Sequence, residues 1–173
     1  MNNDYTPPPL YDDYPFYHYK GRIGRIRYLA YSMILNILLS LLFAVPMGVL
    51  FAMIDAVNPD AMFGILLMFW LPMMLIGLYT TFAPTIRRLH DLGKTGWMSL
   101  LLLVPLANLI LLLYLLFAKG EPLPNQYGNP AKPAGMVLKV FVVVMLVLQL
   151  IWAIVFFVFF DALTQSAQMG QFV

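Results

Sequence analysis

Residues 28–54 read YLAYSMILNILLSLLFAVPMGVLFAMI, 27 positions without an Asp, Glu, Lys or Arg. A helix of roughly 20 apolar residues crosses a hydrocarbon core of about 30 Å, and a helix pairs its backbone N–H and C=O groups internally where lipid offers no partner. The stretch is therefore read as a membrane-spanning anchor, and it lacks a small-x-small cleavage site for its removal. Three further apolar stretches follow, Met62 to Pro84, Trp97 to Ala118 and Val140 to Phe160. The expected fold class is all-α: a polytopic transmembrane helical bundle with four membrane segments, about 28–54, 62–84, 97–118 and 140–160. Composition agrees, since 62% hydrophobic and 10% charged residues leave too little polar surface to cover a water-soluble globule of 173 residues.

Charge distribution sets the expected topology. Residues 1–19 carry Pro7 to Pro9, Asp12 and Asp13 among many tyrosines, and are read as a flexible aromatic and proline-rich tail. Lys20, Arg22, Arg25 and Arg27 then stand at the mouth of the first helix, which places the N-terminus in the cytoplasm. Asp55 to Ala61 has acids and no bases and belongs outside; Arg87, Arg88 and Lys94 return inside. Lys119, Lys132 and Lys139 leave two readings of residues 97–118. A kinked full span, favoured by its length of 22 residues at 1.5 Å each, puts those lysines outside. A re-entrant hairpin turning near Pro105 and Asn108 keeps all ten basic residues inside. Beyond a membrane domain over 20–130, residues 131–160 are read as a linker with an additional transmembrane helix, and 161–173 as a C-terminal tail.

Within the bilayer, Ser32, Asn36, Ser40, Ala44 and Gly48 recur every fourth residue and suit close helix packing. Asn36, Asn108 and Gln149 are expected to face protein rather than lipid. The absence of cysteine excludes disulfides, thiolate nucleophiles, zinc–thiolate and iron–sulfur sites and palmitoyl anchoring. A net charge of +2 gives no reason to expect nucleic acid as a partner.

The specific polar signal is Arg87-Arg88-Leu89-His90-Asp91-Leu92-Gly93-Lys94-Thr95-Gly96-Trp97. One reading is topogenic: Arg87 and Arg88 pair with Asp91 within a helical turn, Gly93 ends the helix and Trp97 anchors the next segment at the interface. A sharper one makes Arg22, Arg25, Arg87, Arg88, His90 and Lys94 a cup for a phosphate-bearing headgroup, because a guanidinium fork makes two parallel bonds to phosphate oxygens. His90 beside Asp91 could also serve an interfacial lipid-modifying enzyme, but two histidines in the chain are too few for a metal site, and no Ser-His-Asp elbow, Walker loop or HExxH helix is present.

Gly21-Arg22-Ile23-Gly24-Arg25, then Arg87-Arg88-Leu89-His90-Asp91 with Gly96-Trp97, then Asn125-Gln126-Tyr127-Gly128-Asn129-Pro130 together resemble the bacterial inner-membrane proteins of domain of unknown function 805 (DUF805), the YhaH-like family. The resemblance spans roughly Tyr17 to Pro130 and implies a small multi-pass protein of the cytoplasmic membrane, with no catalytic residues to carry over. The expected function is that of a non-enzymatic membrane protein with a basic cytoplasmic face. Its expected partners are anionic phospholipids, a second copy or another membrane protein, and no cofactor or metal is expected. A small transporter or channel component is the alternative of a different class.

Overall fold

The computed structural model describes residues 11, 14–15, 17–52 and 59–169. The acidic turn from Asp55 to Asn58 and most of the expected flexible tail lie outside them. The elements are α1 (Arg25–Ala52), α2 (Pro59–Asp91), a 3-10 helix (Gly96–Leu103), α3 (Ala107–Phe117) and α4 (Met136–Met169). Among the described residues three helices are long and apolar enough to cross a membrane, over Arg25–Ala52, Phe63–Asp91 and Met136–Ala162. A fourth spanning segment is not among them.

The expected third span is where sequence and structure part. Residues 96–103 form the 3-10 helix, the chain turns at Pro105 and Leu106, and only Ala107–Phe117 is α-helical. Leu106 adopts φ 67° and ψ −47°, a strained γ-turn closed by the Ala107 N–H donating to the Pro105 carbonyl at 2.8 Å, at a cost of about 1–3 kcal/mol. Both ends of the segment lie at the end of α2. A side chain on Gly96 would fall 2.9 Å from Ile86 Cγ2, and the Ala118 carbonyl accepts from Arg88 Nη2 at 2.6 Å. The favoured kinked rod is therefore replaced by a hairpin with its tip at Pro105–Leu106. Its arms have matched lengths: eight residues at about 2.0 Å and eleven at about 1.5 Å each reach roughly 16 Å.

α2 extends past its expected end at Pro84 through Asp91 as one 33-residue helix. Nothing from Thr85 to Asp91 is a strong helix breaker, and the Thr85 hydroxyl donates back to the Thr81 carbonyl at 2.8 Å. α1 meets α2 where Leu39 packs over Gly77 and where Phe43 and Trp70 meet edge to face, centroids 5.7 Å apart. The small-residue stripe makes none of these contacts. Asn36, Ser40, Ala44 and Gly48 are exposed, and Gly48 has open space above it. Leu39 and Phe43 make the contacts with α2 instead. Asn36 meets part of its hydrogen-bonding need internally, donating from Nδ2 to the Ser32 carbonyl at 2.7 Å.

The buried apolar core gathers at the motif-bearing end of α2, where Ile23, Tyr28, Leu89, Leu92, Leu111 and Leu115 pack together, flanked by Met98 and Leu102. Residues 135–173 form a separate compact unit. It contains α4, a 34-residue helix that continues through the expected tail as far as Met169. Gln149 is exposed on it.

Candidate functional site

The end of α2 carries Arg88 and Asp91 three residues apart, hence on one face and one turn. Asp91 is buried, and an ionised carboxylate taken from water costs several kcal/mol unless it is paired and fully hydrogen-bonded. Two guanidinium groups meet that need. Arg88 Nη1 donates to Asp91 Oδ2, and Arg22, from the loop before α1, donates to Oδ1 through Nε at 3.3 Å and Nη2 at 3.2 Å. Both arginines are themselves fully buried, at 0% and 1% exposure, so their remaining N–H groups also require acceptors.

Backbone carbonyls supply those acceptors. A helix leaves its last carbonyls without intrahelical partners, and α3 ends inside this cluster. Arg88 Nε donates to Leu115 O at 2.9 Å and its Nη2 to Ala118 O, while Arg25 Nη1 reaches Phe117 O at 3.4 Å. Arg22 serves the loop that follows, donating from Nη1 to Leu123 O at 2.8 Å and Gly128 O at 3.4 Å, and from Nη2 to Glu121 O. The result is a knot that ties the lead-in to α1, the end of α2, the end of α3 and the loop over 119–130. Gly120 lies against Asp91, where an added Cβ would collide with Oδ2.

Arg87 projects elsewhere and is also buried. Its Nη1 donates to Pro15 O at 2.8 Å and His18 O at 3.4 Å, and its Nη2 to Tyr14 O at 3.4 Å. The Tyr79 hydroxyl adds a 2.7 Å bond to Tyr17 O. Tyr14, Pro15, Tyr17 and His18 of the N-terminal tail are thus fastened to α2, contrary to the expectation of a free segment.

The loop motif is explained by one contact. Asn125 and Gly128 exchange backbone bonds of 3.1 Å, closing a tight turn in which Gly128 has φ 134°, a region open to glycine. Asn125 Nδ2 fastens this turn to α2 through the His90 carbonyl at 3.0 Å. Tyr127 at its tip then stacks on His90, centroids 4.0 Å apart and planes 6° from parallel. Gly93, with φ 67°, ends the helix just beyond as expected, and Trp97 stands 80% exposed at the start of the 3-10 helix.

The three motifs therefore converge on one end of the fold. Arg22, Arg88 and Asp91 form its buried centre; Gly21 is buried beside them, and His90, Tyr127, Asn125 and Gly128 form an adjoining layer. Arg25 and Lys94 are exposed. Arg22, Arg87 and Arg88 thus turn inward rather than lining an open cup, and Arg87 binds the lead-in segment instead of Asp91. Both Asp91 oxygens are held by arginines while the His90 ring faces Tyr127, so the two side chains do not form an acid–base pair. Sequence reasoning missed Gly120 and the carbonyls of Leu115, Ala118, Glu121 and Leu123, because a backbone acceptor is present at every position and no motif marks the ones in use.

No curated protein and no solved structure matches the chain. Residues 16–129, which contain every member of the knot and the His90–Tyr127 layer, match one family model, that of the protein of unknown function DUF805. The chain belongs to the DUF805 family.

Proposed function

We propose that this is a non-enzymatic protein of the bacterial inner membrane whose exposed basic rim holds anionic lipid headgroups at the cytoplasmic face. The observation that carries this reading is a division of labour among the cations. Arg22, Arg87 and Arg88 are buried and engaged by the protein, whereas Lys20, Lys94 and Lys119 are exposed within a few residues of the knot, as is Arg25, which reaches Phe117 O over a long 3.4 Å bond. Basic side chains near an anionic membrane surface contribute about 1 kcal/mol each, so four together are enough for selective retention of acidic lipid. Glu121, the exposed acid beside them among the described residues, is held by Asn125 Nδ2 at 2.6 Å.

The hairpin supports the same orientation. With residues 97–118 entering and leaving on one side, all ten Lys and Arg residues fall on the cytoplasmic side and only acids lie outside, which satisfies the positive-inside rule without exception. The N-terminus is then cytoplasmic, and the far end of α4 is external.

Lipid retention tests the reading directly. Protein purified gently from membranes containing phosphatidylglycerol is expected to carry acidic lipid, and Arg25→Glu with Lys94→Glu and Lys119→Glu to lose most of it while keeping its unfolding temperature. Equal acidic-lipid content in the folded triple variant, read by mass spectrometry, would remove the proposal.

A further inference from the structure

Beside the knot, the same end of the molecule carries a cleft of about 570 Å³, within the 300–1,000 Å³ typical of small-molecule sites. One wall is α2, with Phe82, Ile86 and His90; the opposite wall is the start of the 3-10 helix, with Trp97 and Leu100. Tyr127, stacked on His90, closes one side.

The lining restricts the occupant. It contains no Asp, Glu, Lys or Arg, and histidine is largely uncharged at neutral pH, so the cleft offers nothing to an ionic headgroup. Its surface is rich in rings, with Tyr19, Phe82, Trp97 and Tyr127 joining the imidazole. Flat faces of this kind favour a flat ligand through offset stacking. It also keeps a polar group among those rings, the exposed Thr95 hydroxyl, which makes no capping bond. Gly96 leaves room at the imidazole edge, since a Cβ there would stand 3.4 Å from His90 Nε2. Finally, the cleft is open along an apolar side. Trp97 is 80% and Leu100 47% exposed, on the arm of a hairpin whose outward surface is leucine and valine.

An uncharged planar head with hydrogen-bonding oxygens and an apolar tail fits all of these features. We propose that the cleft binds a lipid-dissolved quinone, its ring against the aromatic wall, a ring carbonyl accepting from the Thr95 hydroxyl, and its tail leaving past Leu100 into the bilayer. Binding alone is inferred, with no electron transfer. The site is separate from the basic rim, and neither requires the other.

Trp97 is a built-in reporter. With Trp70→Phe and Trp152→Phe it becomes the sole tryptophan of the chain, which has three. The probe is a benzoquinone bearing a saturated ten-carbon tail, titrated into the full-length protein in nanodiscs of uncharged lipid. Saturable quenching of Trp97 is expected, with affinity weakened roughly tenfold by Thr95→Val, in line with loss of a hydrogen bond. Arg25→Glu with Lys94→Glu and Lys119→Glu is expected to leave the quenching curve unchanged, which separates this site from the rim. Quenching that rises linearly with probe and is the same in Thr95→Val, an exposed position that leaves the knot untouched, would overturn the proposal. So would displacement of the probe by phosphatidylglycerol, which would assign the cleft to a phospholipid.

Discussion

Asp91 is the residue on which the motif end depends. With both oxygens taken by buried guanidinium groups, removal of the carboxylate strands two cations with no counter-charge, and breaking such a buried pair costs about 3–5 kcal/mol. Asp91→Ala is therefore expected to lower the unfolding temperature in detergent by roughly 10 °C, whereas Arg25→Ala, on the exposed rim, stays within about 1 kcal/mol of the parent. Gly120→Ala provides a second test of the same geometry. Its methyl group meets a carboxylate that two arginines hold in place, so overpacking of about 1–3 kcal/mol is expected by the same measurement. Gly93→Ala meets only the exposed Glu121 side chain, which can move aside, and its cost is the left-handed backbone alone, about 1 kcal/mol.

Among the elements, the hairpin over residues 96–118 has the most to say about what a sequence can disclose. Hydropathy located every apolar stretch, because burial of backbone in lipid demands long apolar helices and α1, α2 and α4 obey that demand. On length it favoured a kinked rod over a hairpin, although both use the same 22 apolar residues. The decision rests on Arg88 and Arg25 reaching carbonyls near the end of α3, partners about 30 and 92 positions away with no signature of their own. The motif Arg-Arg-Leu-His-Asp was legible as the polar focus and Gly93 as a helix stop. The inward turn of its arginines was not, because charge alone reads as exposure. The absence of cysteine makes the hairpin simple to test. Lys94→Cys and Gln126→Cys, introduced singly, are expected to react with a membrane-impermeant maleimide from the same side, whereas a full crossing would place them on opposite sides. Leu106→Gly, which relieves the positive φ at an 80% exposed tip, is expected to be tolerated, while Leu115→Ala in the core should cost about 2–5 kcal/mol.

At the scale of the molecule, the chain divides into a unit over Met1–Ala134 and a second over Gly135–Val173. All the described bonds of the knot fall within the first, as does the family match over residues 16–129. A chain ending after Ala134 is therefore expected to keep the protease-resistant fragment that the full protein yields with trypsin, because the buried arginines are shielded in both. Arg22 has a further consequence for biogenesis. The acceptors of its guanidinium bonds described above stand 69 to 106 residues downstream, so they are synthesised long after the start of α1. At typical ribosomal speeds of about 5–20 residues per second, that guanidinium waits roughly 5 to 20 s before its last acceptor emerges. Nascent chains stalled short of residue 128 would then sit in the membrane with their first two helices placed but unlatched, exposed to quality-control proteases until translation delivers the clasp.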